Sequence, residues 1–351
     1  MVPGDPGTDQ DAGILDPDHL PIRIEMNSIK HHRGYSTMYQ EGSLTLGLFF
    51  AIESYSGAIP DMDVAQQIRT AQLAESHGFA ALYFRDVFLN VPSFGDVGHI
   101  HDPWAFMGYV TAHTSRIALA TGSIITTLRH PLLVAKAAAS IDRLSNQRLV
   151  LGIATGDRPA EFPAFGQTLE ARSGLFQEAL AVMRQAWSED FPQISTPRVN
   201  LSGADTLPKP QLGNIPVMVT GNSRQSVEWI AEHGDGWLYY PQNLAEQAIT
   251  IKKWRSLTPE FKPFTQSLYL DLAEQPDSPP SPMHLGFRAG RNFLIQYLNS
   301  LKAIGVNHVG LNLKYGRRPA HEVVQELGEF VVSAFPAHAD AERVGEVQQS
   351  V

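Results

Sequence analysis

The sequence predicts a single (β/α)₈ barrel with insertions. Two observations point there. Eight short apolar runs recur along the chain, each rich in Val, Ile, Leu, Phe or Tyr, and an amphipathic stretch follows each of them. The chain is also long enough, at 351 residues, for a barrel that typically needs about 250 before insertions. An open doubly wound sheet shares the alternation but usually has five to seven strands.

The elements follow in order. Residues 1–19 are rich in Pro, Gly and Asp and nearly free of large apolar side chains, so they are expected to be a disordered tail. Residues 20–42 are mixed and suit an arm over the barrel or over a neighbouring subunit. The barrel itself is expected over 44–335, with 1–43 as tail and arm and 336–351 as a C-terminal tail.

Expected strands are 44–50, 80–85, 117–123, 149–154, 215–220, 236–240, 267–272 and 308–313, all apolar enough to be buried on both faces. Helical stripes are read from Val64, Ile68, Ala71 and Ala74; from Leu133, Ala137, Ile141 and Leu144; from Leu175, Ala179, Val182 and Ala186; and from Val324, Leu327 and Val331. Gly78, Gly234 and Gly305 stand where helices should end before the next strand. Residues 190–213 and 274–285 are too long and too rich in Pro, Ser and Gly for ordinary connections. The first leads into strand five at the barrel bottom, and the second follows strand seven on the active side, a candidate lid.

Composition narrows the function. Hydrophobic residues make up 43% and charged residues 18%, which supplies a large core. A net charge of −9 argues against nucleic acid or an anionic membrane as partner. No apolar run is long enough to span a bilayer, and the first residues lack a signal-peptide pattern. The absence of cysteine removes disulfides, thiolate metal sites and a cysteine nucleophile, and fits a cytoplasmic protein.

In a barrel of this type, function sits at the C-terminal strand ends. Strand one runs into Phe49, Phe50 and Glu53, and strand two into Arg85 and Asp86, which suit a local ion pair. Strand three ends in Thr121, Gly122 and Ser123, followed by Thr126 and by Leu128-Arg129-His130-Pro131. Strand four ends in Thr155, Gly156, Asp157 and Arg158, strand five in Thr220, Gly221, Asn222, Ser223 and Arg224, and strand six in Trp237, Tyr239 and Tyr240. Such a lining of aromatic rings, small residues and hydroxyls suits a flat, partly apolar ligand with a polar tail.

The 221–224 turn is the candidate anion site, provided that a helix opens there with its free N–H groups. Asn and Ser also cap helices without any ligand, so that reading stands beside it. Asp157 suits cofactor orientation, acid–base work or a helix cap. His99 and His101 have metal-ligand spacing, but beside a helix start rather than a strand end, a solvated loop or cap is favoured and no metal is expected.

Two segments carry a family resemblance. Residues 116–166 read RIALATGSIITTLRHPLLVAKAAASIDRLSNQRLVLGIATGDRPAEFPAFG, and residues 215–238 read IPVMVTGNSRQSVEWIAEHGDGWL. Together they resemble the luciferase-like monooxygenase superfamily of flavin- and deazaflavin-dependent barrels, over about residues 44–335. The resemblance implies a flavin across the barrel mouth, contacted by Phe50, Asp86, Thr121, Gly122, Ser123, Thr155, Gly156, Asp157, Thr220 and Trp237. It also implies a non-proline cis peptide near Gly122 and a phosphate held by Gly221, Asn222, Ser223 and Arg224.

The activity so implied is oxygenation of a small organic substrate by O2 and reduced FMN, the FMN coming from a separate NAD(P)H-dependent flavin reductase. Asp157 or His130 would move protons. A homodimer is expected on the same ground. The missing cysteine departs from luciferases, which keep a reactive one near the flavin. The alternatives are hydride transfer with the deazaflavin coenzyme of the F420 type, ranked second for want of basic residues at the mouth; a metal-dependent hydrolase; and a non-catalytic flavin-binding protein.

Overall fold

The computed structural model describes residues 29–57, 59, 61–94 and 100–338. The expected disordered tail at 1–19, part of the arm, His99 and residues 339–351 of the C-terminal tail lie outside these. Eight parallel strands close into a ring: β1 (Thr45–Phe49), β2 (Ala81–Phe84), β3 (Ala118–Thr121), β4 (Leu149–Ala154), β5 (Val217–Thr220), β6 (Gly236–Tyr239), β7 (Phe264–Leu272) and β8 (His308–Asn312). β1 lies between β8, with Thr45 opposite His308, and β2, with Gly47 opposite Ala81; the ring closes where Phe264 of β7 meets Trp237 of β6. All eight expected strands are present, within a few residues at each end. A two-residue strand, Ile124–Ile125, continues the third element and pairs with β4 at Ile153 and Ala154.

Three helical stripes pack as the periodicity predicts, with Ile68, Ala71 and Ala74, then Ala179, Val182 and Ala186, then Val324, Leu327 and Val331 all buried. The helix Pro131–Leu144 is a correction. Of the expected stripe Ile141 is buried, but Leu133 and Leu144 are 67% and 71% exposed, and Val134, Ala135, Ala138 and Ala139 face inward with Ile141. Small alanines let this helix lie close against the sheet, so its true inner face carries little bulk and the larger leucines mimic the stripe. Gly78 and Gly305 adopt the left-handed conformation expected past a helix end, whereas Gly234 is extended.

The long segments are partly ordered as strand pairs. Residues 190–213 contain the hairpin Ile194–Ser195 with Asn200–Leu201. The candidate lid contributes Ser281–Met283, antiparallel to Gly286–Ala289, which itself pairs in parallel with β7. That pairing fixes the segment to the upper part of β7, Tyr269–Leu272, and Leu285 is the residue it contributes to the cavity.

The arm plugs the bottom of the barrel. Ile29, Tyr35, Met38 and Tyr39 pack against Tyr83, Ala118, Ala120, Val150 and Met218 from the strands. Polar contacts fix it. Gly34 N–H donates to the Gln147 carbonyl at 2.7 Å, and His32 Nε2 lies 2.8 Å from Asp142 Oδ1 with both side chains buried. Gly34 needs its missing side chain, since a Cβ would stand 2.6 Å from the Arg148 carbonyl oxygen. Among the described residues no helix is long and apolar enough to cross a membrane.

The Leu144-Ser145…Arg148 corner has a clear physical basis. Buried Arg148 donates to the carbonyls of Ser145, Ile117, Thr111 and Thr114 and to the Thr114 hydroxyl, at 2.9–3.3 Å. It thereby caps the chain ends that lead into β3 and β4. Burial pulls its guanidinium down to about 10, still charged at neutral pH. Arg148→Met leaves these buried acceptors without donors and is expected to cost about 3 kcal/mol or more, read as a lowered midpoint in urea unfolding; an unchanged midpoint would show the carbonyls find other donors.

Candidate functional site

A cavity of about 370 Å³ opens at the C-terminal ends of the strands. Every barrel strand or the loop after it contributes to its wall. Asp86, Gly122, Ser123, Thr155, Gly156, Asp157, Thr220, Gly221, Asn222 and Ser223, all expected at the site from sequence, line it together. The peptide between Gly122 and Ser123 is cis, as the resemblance implied, and so is the one between Phe50 and Ala51.

Four expected contacts lie elsewhere. Phe50 points away from the cavity and packs with Phe84 and Phe106, ring centroids 5.0 and 4.9 Å apart, while its neighbour Phe49 lines the wall. Trp237 is likewise turned outward, onto Trp254 and Phe264, and Leu238 takes the inward position. Both reversals have one cause: neighbouring residues of a strand face opposite sides, and a strand apolar on both faces does not reveal which is which. Thr121 is buried in the barrel wall, its hydroxyl donating to the Gly152 carbonyl at 2.7 Å. Arg224 is exposed just beyond the lining residues.

The turn after β5 differs from the helix opening read in the sequence. The helix there starts only at Val227, capped by the Ser226 hydroxyl, which accepts from Trp229 N–H at 3.1 Å. Residues 221–224 form a separate turn in which Gly221, Ser223 and Arg224 all have positive φ. Its outer amides are engaged: Gly221 N–H donates to Leu238 at 2.7 Å and Gln225 N–H to Asn222 at 2.8 Å. The amides of Asn222, Ser223 and Arg224 between them have no acceptor among the described residues. Trp237 Nε1 donates to the Gly221 carbonyl at 2.7 Å and braces the turn from behind, and Ser223 Oγ donates to the Thr220 carbonyl at 2.7 Å. Consecutive backbone N–H groups in such a conformation form an anion-binding concavity without any helix.

Asp86 has a different partner from the one expected. Its carboxylate accepts from Arg129 Nε and Nη2 at 2.9 and 2.7 Å and from Ile125 N–H at 3.0 Å. Arg129 also reaches Asp102 at 2.8 Å, and Asp102 caps the helix Pro103–Thr111. The pair is therefore a clamp between the ends of β2 and β3, while Arg85 borders the cavity and donates from Nη2 to the Tyr55 hydroxyl at 3.2 Å.

Asp157 is no helix cap, because the next helix begins at Glu161; its exposed carboxylate stands at the cavity rim, 3.8 Å from Arg158. His130 precedes the helix Pro131–Leu144, is exposed, and has Nε2 3.2 Å from the Arg198 carbonyl oxygen, outside the cavity lining. Of the His-x-His pair, His101 packs on the Phe106 ring, and among the described residues no group of three His, Asp or Glu is placed to hold a metal.

Sequence reading missed several wall residues. Phe94 comes from the loop after β2 and lies under the Arg158 guanidinium, 4.8 Å from the ring centroid. Ser267 and Tyr269 from β7 and Asn312 from β8 complete the wall. The inward parity of β7 and β8 would have pointed to the last three; nothing in the sequence marks Phe94.

Comparison with known proteins agrees with this geometry. Residues 42–266 match the family model described as luciferase-like monooxygenase. An uncharacterized protein of Mycobacterium tuberculosis is 31% identical over 189 residues, 50% of this chain and 67% of that one. An F420-dependent hydroxymycolic acid dehydrogenase of the same organism is 32% identical, covering 51% of this chain and 50% of its own length. The alkanal monooxygenase beta chain of Photorhabdus luminescens is 24% identical, covering 54% and 58%. Among solved structures, a monooxygenase from Streptomyces bottropensis superposes with a TM-score of 0.69 at 17% identity, over 82% of this chain and 99% of that one. An F420-dependent secondary alcohol dehydrogenase does so at 0.68 and 17%, over 83% and 99%. The closed barrel, its cavity and the matched span together make this chain a member of the luciferase-like monooxygenase family.

Proposed function

We propose that the protein is a flavin-dependent monooxygenase that oxygenates a small organic substrate with reduced FMN and O2. The observation that carries this reading is the 221–224 turn, whose three unengaged amides open beside an aromatic-walled cavity. A phosphate fits that turn: the amides donate, Gly221 permits close approach, and Arg224 adds charge at the rim. A flat ring fits the cavity between Phe49, Tyr239, Tyr240 and the small residues Gly122 and Ser123. Reduced FMN, delivered by a separate NAD(P)H-dependent reductase, supplies the electrons, so that one oxygen atom enters the substrate and the other leaves as water.

The protein's own groups bind and orient. The Ser123 and Thr220 hydroxyls hydrogen-bond each other across the cavity floor, linking the ends of β3 and β5. Asp157 at the rim is the candidate for proton exchange with solvent. Tyr240, whose phenol is neutral at pH 7 and is shifted further above its usual range by desolvation, offers an O–H donor. Leu285, Phe94 and Tyr269 narrow the opening and limit water.

A second reading is a deazaflavin-dependent oxidoreductase without oxygen. It is favoured by two arginines at the cavity, Arg85 and Arg158, which supply the basic character that a longer anionic coenzyme needs. Anaerobic fluorescence titration with reduced FMN and with the deazaflavin, followed by aeration, separates the two. Tight reduced-FMN binding, with oxygen uptake at a rate different from that of free reduced FMN, supports the monooxygenase; deazaflavin binding alone, with uptake at the rate of free reduced FMN, assigns the second reading.

Two variants test the phosphate turn. Ser223→Asp places a carboxylate among the amides and is expected to weaken reduced-FMN binding at least tenfold with the melting temperature retained; unchanged affinity would remove the assignment. Trp237→Phe deletes the brace on Gly221 and should weaken binding about threefold to tenfold, as the loss of one hydrogen bond of about 0.5–1.5 kcal/mol implies. Equal affinity in that variant would mean the turn holds its shape unaided.

A further inference from the structure

The wall that β7 and β8 give to the cavity is built differently from the phosphate turn. Their register sets Ser267 opposite Gly310 and Tyr269 opposite Asn312. Alternation turns Ser267, Tyr269 and Asn312 into the cavity, while Leu268, Leu270, Val309 and Leu311 are buried in the core behind them. Gly310, two residues before Asn312, leaves room for the Phe49 ring. A Cβ there would stand 2.6 Å from that ring, as one on Gly122 would stand 2.8 Å from it. Phe49 therefore lies as a plate between the ends of β3 and β8, stacked on Tyr83 with ring centroids 4.6 Å apart.

Asn312 is only 6% exposed, and its Oδ1 accepts from Lys314 N–H at 3.0 Å. That bond occupies the carbonyl side of the carboxamide and leaves Nδ2 for the cavity. Among the described residues neither Nδ2 nor the Ser267 hydroxyl has a partner. By contrast the Ser123 and Thr220 hydroxyls bond each other. Buried polar groups are as a rule hydrogen-bonded, so a nearly buried amide with two idle N–H groups beside an idle hydroxyl is an exception that a ligand explains. An amide NH2 only donates, and a hydroxyl can donate, so the ligand atom must be an acceptor. The residues that β7 and β8 bring to the cavity are all uncharged. An ionised group on such a wall would lose hydration without gaining a counter-charge, which favours a neutral acceptor. A carbonyl oxygen meets both conditions, its two lone pairs matching one N–H and one O–H donor.

We infer that Asn312 and Ser267 form a binding site for an uncharged carbonyl oxygen. Such an oxygen comes either from the substrate, as a ketone, ester or amide, or from the pyrimidine ring of the flavin, and this second source rests on the flavin reading of the same cavity. In the first case Asn312 selects the substrate, because a site built to bond an oxygen rejects an analogue that lacks it. In the second it orients the ring and leaves the phosphate end to the 221–224 turn.

Anaerobic calorimetry separates the sources. The protein is titrated with reduced FMN, and the FMN-loaded protein with cyclohexanone and with methylenecyclohexane, which has the same shape without the oxygen. For a substrate oxygen, Asn312→Leu should weaken cyclohexanone binding about tenfold and Ser267→Ala about threefold, the scale of the neutral hydrogen bonds removed. Methylenecyclohexane then binds no more weakly and FMN affinity is unchanged. For a flavin oxygen, FMN affinity falls by those factors instead and cyclohexanone is unaffected. Either pattern supports the site. Unchanged FMN affinity together with cyclohexanone binding that is absent or unaltered overturns it, and so does an equal loss for cyclohexanone and methylenecyclohexane, which marks a packing defect. Ser267→Ala keeps the test decisive if the asparagine variant does not fold. Absence of FMN binding by wild type overturns the flavin reading alone, and the ketone titration of the free protein then decides the site.

Discussion

Closure of the parallel ring between β6 and β7 is the constraint from which the other features follow. A parallel strand has no hairpin partner, so each return must pass outside the sheet, and every strand points the same way. All eight C-terminal ends then meet on one rim. Residues far apart in the chain, such as Ser123 and Thr220 or Arg85 and Asn312, come to border one cavity only because the ring is closed. An open sheet of the same strands would spread them along an edge.

Guanidinium groups brace the strands at both ends of the barrel. Asp86 and Arg129 fasten the ends of β2 and β3, while Arg148 ties the starts of β3 and β4 at the other end of the barrel. Each is a guanidinium whose donors are consumed by carboxylates or carbonyls, the arrangement that makes a buried charge tolerable. Strand ends positioned in this way can carry a site whose geometry survives changes in the loops above it.

The fold was legible because two-sided burial makes most of the strands short runs rich in apolar residues, recurring at the spacing of one strand and one helix. The site was legible by position more than by face. Residue type marked Gly122, Gly156 and Gly221: a Cβ on Gly122 would sit 2.8 Å from the Phe49 ring, and Gly156 and Gly221 both have positive φ. Parity was hidden, which is why Phe50 and Trp237 were expected where Phe49 and Leu238 stand. The Asp86–Arg129 pairing spans 43 residues and left no local trace. The turn after β5 was found by its residues, but its amides present themselves through left-handed backbone rather than a helix end, a conformation that Ser223 and Arg224 do not advertise.

The arm beneath the barrel has a consequence for traffic. With Tyr35, Met38 and Tyr39 packed beneath the strands, the arm fills the lower end of the barrel, and the cavity lies at the upper one. Traffic between that cavity and solvent then runs past the strand-end loops, so a change in those loops bears on entry and exit before it bears on the chemistry below.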